Sequence, residues 1–250
     1  MTVIKCSDAG LRFERGQRRA RMRSAIGRSL RLSRQKDDSQ ANTIWALRHI
    51  DFALPKGACL GICGANGSGK TSLLRLLCGV YLADEGKVSV SGDVVSLLSL
   101  GAGMSPALSG RDNVYLTAAV RSIGRRTVDS FYQEICEFAE LDQETMDTPI
   151  RHFSAGMRAR LSFAISAVMT PDILLIDEIF SVGDTAFRKK SGKRLSEIIE
   201  RARCVVLTSH SAQTLREHCD HFMWLERGEI RDFGNEGVLD GYLQFQAKKV

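Results

Sequence analysis

Gly64-Ala65-Asn66-Gly67-Ser68-Gly69-Lys70-Thr71 lies between an apolar run, Ala58-Cys59-Leu60-Gly61-Ile62-Cys63, and a leucine-rich one, Ser72-Leu73-Leu74-Arg75-Leu76-Leu77. It fits G-x-x-x-x-G-K-[ST], and a strand before with a helix after is the setting that gives the pattern physical meaning. Glycines let the backbone aim successive N–H groups at phosphate oxygens, and the positive end of the following helix faces the same anion. Lys70 adds a full charge toward the β- and γ-phosphates, and the Thr71 hydroxyl is suited to Mg²⁺. Gly64 through Thr71, with Ser72 beside them, form the expected nucleotide-binding set.

A second stretch bears on the same chemistry. Ile173-Leu174-Leu175-Ile176-Asp177-Glu178 is a continuous apolar run ending in two carboxylates. It reads as a buried strand whose tip emerges where parallel sheets bind ligands. Asp177 is the expected Mg²⁺ ligand, and Glu178 the group that polarises the water attacking the γ-phosphate. The two stretches together point to nucleotide hydrolysis.

Around them, short strand-like runs at 58–63, 87–90, 172–176, 204–207 and 222–225 alternate with helical patterns, which implies a layered α/β domain with a largely parallel sheet. Between residues 111 and 168 the period becomes helical; Val128, Phe131, Tyr132, Ile135, Phe138 and Ala139 follow i, i+3, i+4, i+7 spacing. We expect a helical subdomain there, over residues 105–168.

The 250 residues are 44% hydrophobic and 26% charged, a composition that supports a packed core and excludes a mainly disordered chain. Apolar runs at 94–104 and 161–169 are too short to span a bilayer, and nothing at the start reads as an export signal, so the cytosol is the expected compartment. The seven cysteines (Cys6, Cys59, Cys63, Cys78, Cys136, Cys204, Cys219) contain no C-x-x-C pair and read as reduced, mostly buried residues. His218-Cys219-Asp220-His221 is read as structural, because no second ligand pair lies nearby in sequence.

The charge is local. The net charge is +6, yet residues 15–36 carry nine basic and no acidic side chains. As a helix, Arg18 to Arg34 would place Met22, Ala25, Ile26 and Leu30 on one face. Anionic lipid headgroups or a protein at the membrane surface suit it. Nucleic acid fits less well, since aromatic side chains for base stacking are missing from it, and a solvated insertion is the plainest alternative.

Phe153-Ser154-Ala155-Gly156-Met157, followed by RARLSFAISAVMTPDILLIDE, resembles the signature loop of ATP-binding cassette (ABC) ATPases running into their acidic strand. Three further residues match that superfamily: His210, after CVVLTS, its switch histidine; Asp184, in Ser181-Val182-Gly183-Asp184, its dimer-contact aspartate; and Trp45 its adenine-stacking aromatic residue. The likeness runs from about Trp45 to Leu243, with a first strand near Val3 to Cys6. Met157 in place of the usual Gln, with the blocks at 100–103, 108–113 and 180–184 and the basic arm, is similar to the branch that exports O-antigen, capsule and teichoic-acid polymers. Two departures stand out: Ala155 replaces the usual glycine, and residues 94–106 contain no glutamine, with Ser99 where the branch tends to carry an acid.

The resemblance implies a P-loop NTPase, RecA-like core, with an antiparallel β part near the N-terminus and one nucleotide-binding domain over residues 1–250. That domain would carry a basic insertion at 15–42 and no C-terminal carbohydrate-binding domain. It implies ATP and Mg²⁺ as ligands and a homodimer closed through ATP, with Ser154, Ala155 and Gly156 of one copy completing the site of the other. It also implies a separate permease, two copies of each chain, at the cytoplasmic face of a bacterial inner membrane, with no nucleic-acid partner expected. An exporter of another cargo (drug, lipid or peptide) and a soluble cassette ATPase acting on ribosomes or nucleic acid are the rival readings.

Overall fold

A computed structural model describes residues 1–14, 43–97, 103–169, 171–177 and 185–248. The basic segment 15–36, Ser99, Glu178 and Asp184 lie outside the described residues. The chain divides into two compact units, residues 1–92 with 206–250, and residues 93–205.

In the first unit, β1 (Thr2–Glu14) pairs antiparallel with β2 (Thr43–Pro55) on one side and with β4 (Glu85–Val90) on the other. The first strand, expected near residues 3–6, therefore continues to Glu14. Register shifts between Cys6 and Ala9 and between Ala9 and Leu11, with Asp8 at φ 45°, break the alternation that would have revealed its length. A second layer is built on β3 (Cys59–Cys63), buried at all five positions, as an all-apolar strand inside a parallel sheet should be. β3 runs parallel to β8 (His221–Glu226), and β8 pairs antiparallel with β9 (Glu229–Gly234) through a two-residue turn. On the other side of β3 lies β7 (Cys204–Thr208), which crosses from one unit into the other.

Among the described residues, three helices complete this unit: α1 (Lys70–Leu77), α7 (Ala212–His218) and α8 (Glu236–Ala247). Aromatic packing holds α8 to the sheet. Trp224 meets Tyr242 and Phe245 at ring-centroid distances of 5.6 and 5.0 Å, and the Arg231 guanidinium lies 4.1 Å from the Trp224 ring and 4.4 Å from Phe245.

The second unit pairs β5 (Val94–Ser96) parallel to β6 (Ile173–Asp177). Its helices are α2 (Gly110–Val120), α3 (Arg125–Ala139), α4 (Gln143–Met146), α5 (Ala155–Val168) and α6 (Thr185–Arg201). Val128, Tyr132, Ile135 and Ala139 of α3 face inward, following the helical spacing of the sequence, and pack with Leu161, Ala164 and Ile165 of α5 in one apolar cluster. Phe138, Phe163 and Phe187 join α3, α5 and α6 with ring centroids about 6 Å apart. Among the described residues, no helix is long and apolar enough to cross a membrane.

The segment before α2 is organised by one buried amide. Asn113 is fully buried; its Nδ2 donates to the carbonyls of Ser105, Leu108 and Ser109, and its Oδ1 accepts from the Ser105 N–H at 2.7 Å. Removing that side chain strands several polar groups away from water, at about 1–3 kcal/mol for each that finds no substitute. Asn113→Ala should therefore lower the stability of the chain by about 2–4 kcal/mol, read as a lower urea midpoint. Asn113→Asp should cost at least as much, because an anion would then face three carbonyl oxygens.

Candidate nucleotide-binding site

The loop that follows β3 turns on three glycines in left-handed or strongly positive conformations, Gly64 (φ 153°), Gly67 (φ 78°) and Gly69 (φ 109°). Gly64 and Gly69 are also places of close backbone approach. A Cβ at Gly64 would lie 2.3 Å from the Leu225 carbonyl oxygen and 2.6 Å from Ser68 Oγ, and one at Gly69 would lie 2.9 Å from the Ala46 carbonyl oxygen. The loop is wedged between β8 and β2, and only hydrogen fits at those two positions.

Lys70 opens α1 and is buried. Its ammonium folds back into the loop, donating to the Gly64 carbonyl at 2.7 Å and the Ala65 carbonyl at 3.1 Å. Ala65, Asn66 and Gly67 are exposed at the loop tip, while Ser68 is buried and Gly69, Thr71 and Ser72 are half-buried. The Ser68 hydroxyl is buried without a hydrogen-bond partner. A glycine cradle, an orphaned hydroxyl, an ammonium and the start of a helix together make a set of donors fitted to a polyphosphate.

The turn between β8 and β9 braces this loop, and the sequence reading missed it. Arg227 and Gly228 both have positive φ, 52° and 85°, as a tight two-residue hairpin requires. From there the Gly228 N–H donates to the Ser68 carbonyl at 2.9 Å, while the Gly228 carbonyl accepts from the Arg48 N–H at 2.8 Å. A Cβ at Gly228 would fall 2.7 Å from the Ala46 carbonyl oxygen. The available signal was Glu226-Arg227-Gly228-Glu229 between two alternating runs; it marks a hairpin but not what the hairpin touches.

Trp45 lies on β2 opposite Arg12, one residue before the Ala46 carbonyl that abuts Gly69. Its indole rests on Gly10, where a Cβ would be 2.9 Å from the ring, so a side chain there would displace it. The guanidinium groups of Arg12 and Arg48 stand 5.7 and 5.3 Å from the ring centroid, which places two cations beside the position expected to stack on a base. Neither arginine was singled out from the sequence. His210, also in this unit, is exposed and immediately precedes Ser211, whose hydroxyl caps α7 by accepting from the Thr214 N–H.

The second unit carries the remaining expected residues. Asp177 is half-buried at the C-terminal end of β6. Ser154 caps α5, its Oγ accepting from the Met157 N–H at 3.1 Å, and Ser154, Ala155 and Gly156 are all exposed. Thr71 in one unit and Asp177 in the other each carry an oxygen donor of the type a hard divalent cation prefers.

Residues 47–181 match the protein-family model described as ABC transporter. The chain belongs to that family. As an ABC transporter-family chain it is similar to an O-antigen export system ATP-binding protein of Klebsiella pneumoniae. That protein is 37% identical over 203 residues, which cover 81% of this chain and 82% of the relative. The corresponding protein of Myxococcus xanthus is 40% identical over 212 residues, 85% of this chain and 48% of the relative. A teichoic acids export ATP-binding protein of Lactococcus lactis is 39% identical over 202 residues, 80% of this chain and 43% of the relative. The chain thus spans about half the length of the last two. Among solved structures, a dimeric ATP-binding cassette in a post-hydrolysis state bound to ADP and Pi aligns with a TM-score of 0.69 at 17% identity, covering 94% of this chain and 99% of that one. At that identity the likeness speaks for the fold.

The loop geometry separates two substitutions that look alike in sequence. Gly64→Ala places a methyl group against the Leu225 carbonyl, and should cost about 3–5 kcal/mol while abolishing nucleotide binding. Gly67→Ala meets nothing within 4 Å and bears only the left-handed backbone cost of about 1–2 kcal/mol, so it should still fold. Urea unfolding combined with fluorescent-nucleotide titration reads both outcomes.

Proposed function

We propose that the chain is the ATP-hydrolysing subunit of an exporter that moves a polysaccharide or lipid-linked glycan across a bacterial inner membrane. The observation that carries the hydrolase assignment is the loop at residues 64–71, with the Lys70 ammonium seated among its own carbonyls beside an unpartnered Ser68 hydroxyl. The glycan assignment rests on relatives named for O-antigen and teichoic-acid export.

In this reading the chain's groups divide the work. Loop amides from Gly64 to Ser72 and the Lys70 ammonium bind the β- and γ-phosphates, and Trp45 stacks on adenine. Glu178 takes up a proton from the attacking water, and His210 orients that water against the γ-phosphate. Thr71 and Asp177 hold Mg²⁺, which when bound draws charge from the phosphate oxygens. Ser154 and the exposed amides at the start of α5 present the positive end of a helix to the γ-phosphate held by a second copy, and Asp184 contacts that copy. Because ATP binds the closed pair better than the open one, it shifts the population toward closure, and hydrolysis releases it.

The assembly we propose is two copies of this chain with two copies of a permease, peripheral to the cytoplasmic face, with the basic segment toward the membrane surface or the permease and no nucleic acid involved. Residues 105–168 form the helical subdomain of a single nucleotide-binding domain at 1–250.

Glu178→Gln keeps the shape and removes the base. Hydrolysis should fall at least about 100-fold, while ATP still binds and ATP-dependent dimers accumulate on size exclusion. A near-normal rate would remove Glu178 from this role, and loss of binding as well would mean that the substitution disturbs more than chemistry. The cargo half is tested separately by deleting the gene and measuring surface glycan; an unchanged surface overturns it.

A further inference from the structure

Two of the seven cysteines meet across the first unit. The Cys59 thiol donates to Cys219 Sγ at 3.6 Å, although the residues are 160 positions apart. Their approach is fixed by the backbone on both sides. The Cys59 N–H donates to Asp220 Oδ1 at 2.9 Å, and the Asp220 N–H donates to the Cys59 carbonyl at 3.0 Å. Two residues along β3, Gly61 leaves the room that Cys219 occupies: a Cβ there would lie 3.1 Å from Cys219 Sγ and 3.3 Å from its Cβ. Other cysteines are engaged differently. Cys63 donates to the Met223 carbonyl and Cys78 to the Arg75 carbonyl, and burial pushes the thiols of Cys6 and Cys63 up to about 12.

We propose that Cys59 and Cys219 are a reversible dithiol–disulfide pair in the folded chain, oxidised by a small peroxide and reduced by a dithiol. A disulfide needs its sulfurs at about 2.05 Å, so the two must close by about 1.5 Å. Rotation about the side-chain bonds supplies that movement while the paired backbone hydrogen bonds stay in place. The chemistry balances in two steps. One sulfur, as thiolate, attacks the peroxide; the O–O bond breaks, a sulfenic acid forms, and the other oxygen leaves as water. The second sulfur then attacks the sulfenic sulfur, the S–O bond breaks, and a second water carries away the hydroxyl with the remaining thiol proton. Two thiols and one hydrogen peroxide give one disulfide and two waters.

The position of the bond matters. Cys59 begins β3, which feeds the nucleotide loop at its other end, and Cys219 is the C-cap residue just after α7, which begins just after His210 and Ser211. Oxidation would join the remote ends of these two elements, leaving the loop itself untouched. The hydrogen bond with Cys59 and burial both hold the Cys219 thiol far above its ordinary value, so the reaction is slow and answers sustained exposure, not a brief pulse.

The test uses the intact chain. It is incubated with hydrogen peroxide, remaining thiols are blocked with iodoacetamide, and proteolytic peptides are mapped by mass spectrometry with and without dithiothreitol. The expected result is a peptide linking residues 59 and 219, two hydrogens lighter than the sum of its parts and split by dithiothreitol. The melting temperature should rise on the order of 10 °C, because the bridge closes a long loop in the unfolded chain. Cys219→Ser should abolish the linked peptide. Full alkylation of both residues after oxidation, or a bridge from either one to a different cysteine, overturns the proposal.

Discussion

A buried ammonium is the demand around which the first unit is arranged. Lys70 is 6% exposed, and taking such a charge out of water costs several kcal/mol unless oxygen atoms replace the lost hydration. The Gly64 and Ala65 carbonyls do this, and the loop must double back on itself to present them. That path puts Gly64 against the Leu225 carbonyl and Gly69 against the Ala46 carbonyl, contacts that leave no space for any side chain. The Gly228 turn then fastens the loop from outside by bonding both Ser68 and Arg48. A polyphosphate entering here meets donors whose positions are already set, so little ordering cost remains for binding.

The parts of this site that the sequence disclosed are the parts built from contiguous residues. The loop at 64–71 and the apolar strand ending in Asp177 each carry their physics in a short window, where period and spacing can be read, whereas Ser154 is identified through its resemblance to a signature loop and its capping role comes from the structure. The Gly228 brace, the seat of Trp45 on Gly10 and the Cys59–Cys219 contact join residues far apart in the chain, and no local pattern encodes such a partner. β1 shows a related failure within a single element. Its bulges and the positive φ of Asp8 interrupt the two-residue period, so 13 residues of strand read as a short segment near residues 3–6. β5 is hidden for a different reason: at three residues it is shorter than the window in which alternation can be seen.

The second unit shows how one local device serves two ends. Both α2 and α5 begin with a serine whose hydroxyl accepts from an N–H three residues on. At α2 the cap is closed by its own neighbours. Ser109 Oγ donates to Asp112 Oδ2 at 2.7 Å, so a carboxylate already sits in the first turn, and the fully buried Asn113 ties the preceding chain down. The positive end of that helix is neutralised from within, and its role is to hold the fold.

At α5 the same cap is left open. The first turn reads Ala155-Gly156-Met157 and then Arg158, with no acidic side chain, and Ser154, Ala155 and Gly156 are exposed. Arg158 reinforces the positive field, and its Nη1 is committed to the Phe153 carbonyl at 2.5 Å, behind the cap. A helix start with this composition forgoes the stabilisation of about 0.3–1 kcal/mol that an acidic first turn supplies. An anion brought from outside the helix would restore that stabilisation. α3 and α6 of the same unit also begin without an acidic first turn, so the omission alone singles out no terminus; unlike α3, which starts from Gly124 with no side-chain cap, α5 combines it with an exposed serine cap. A terminus that is capped, exposed and unneutralised is stabilised by an anion brought to it, and in the proposed pair the nucleotide held by the second copy would be that anion.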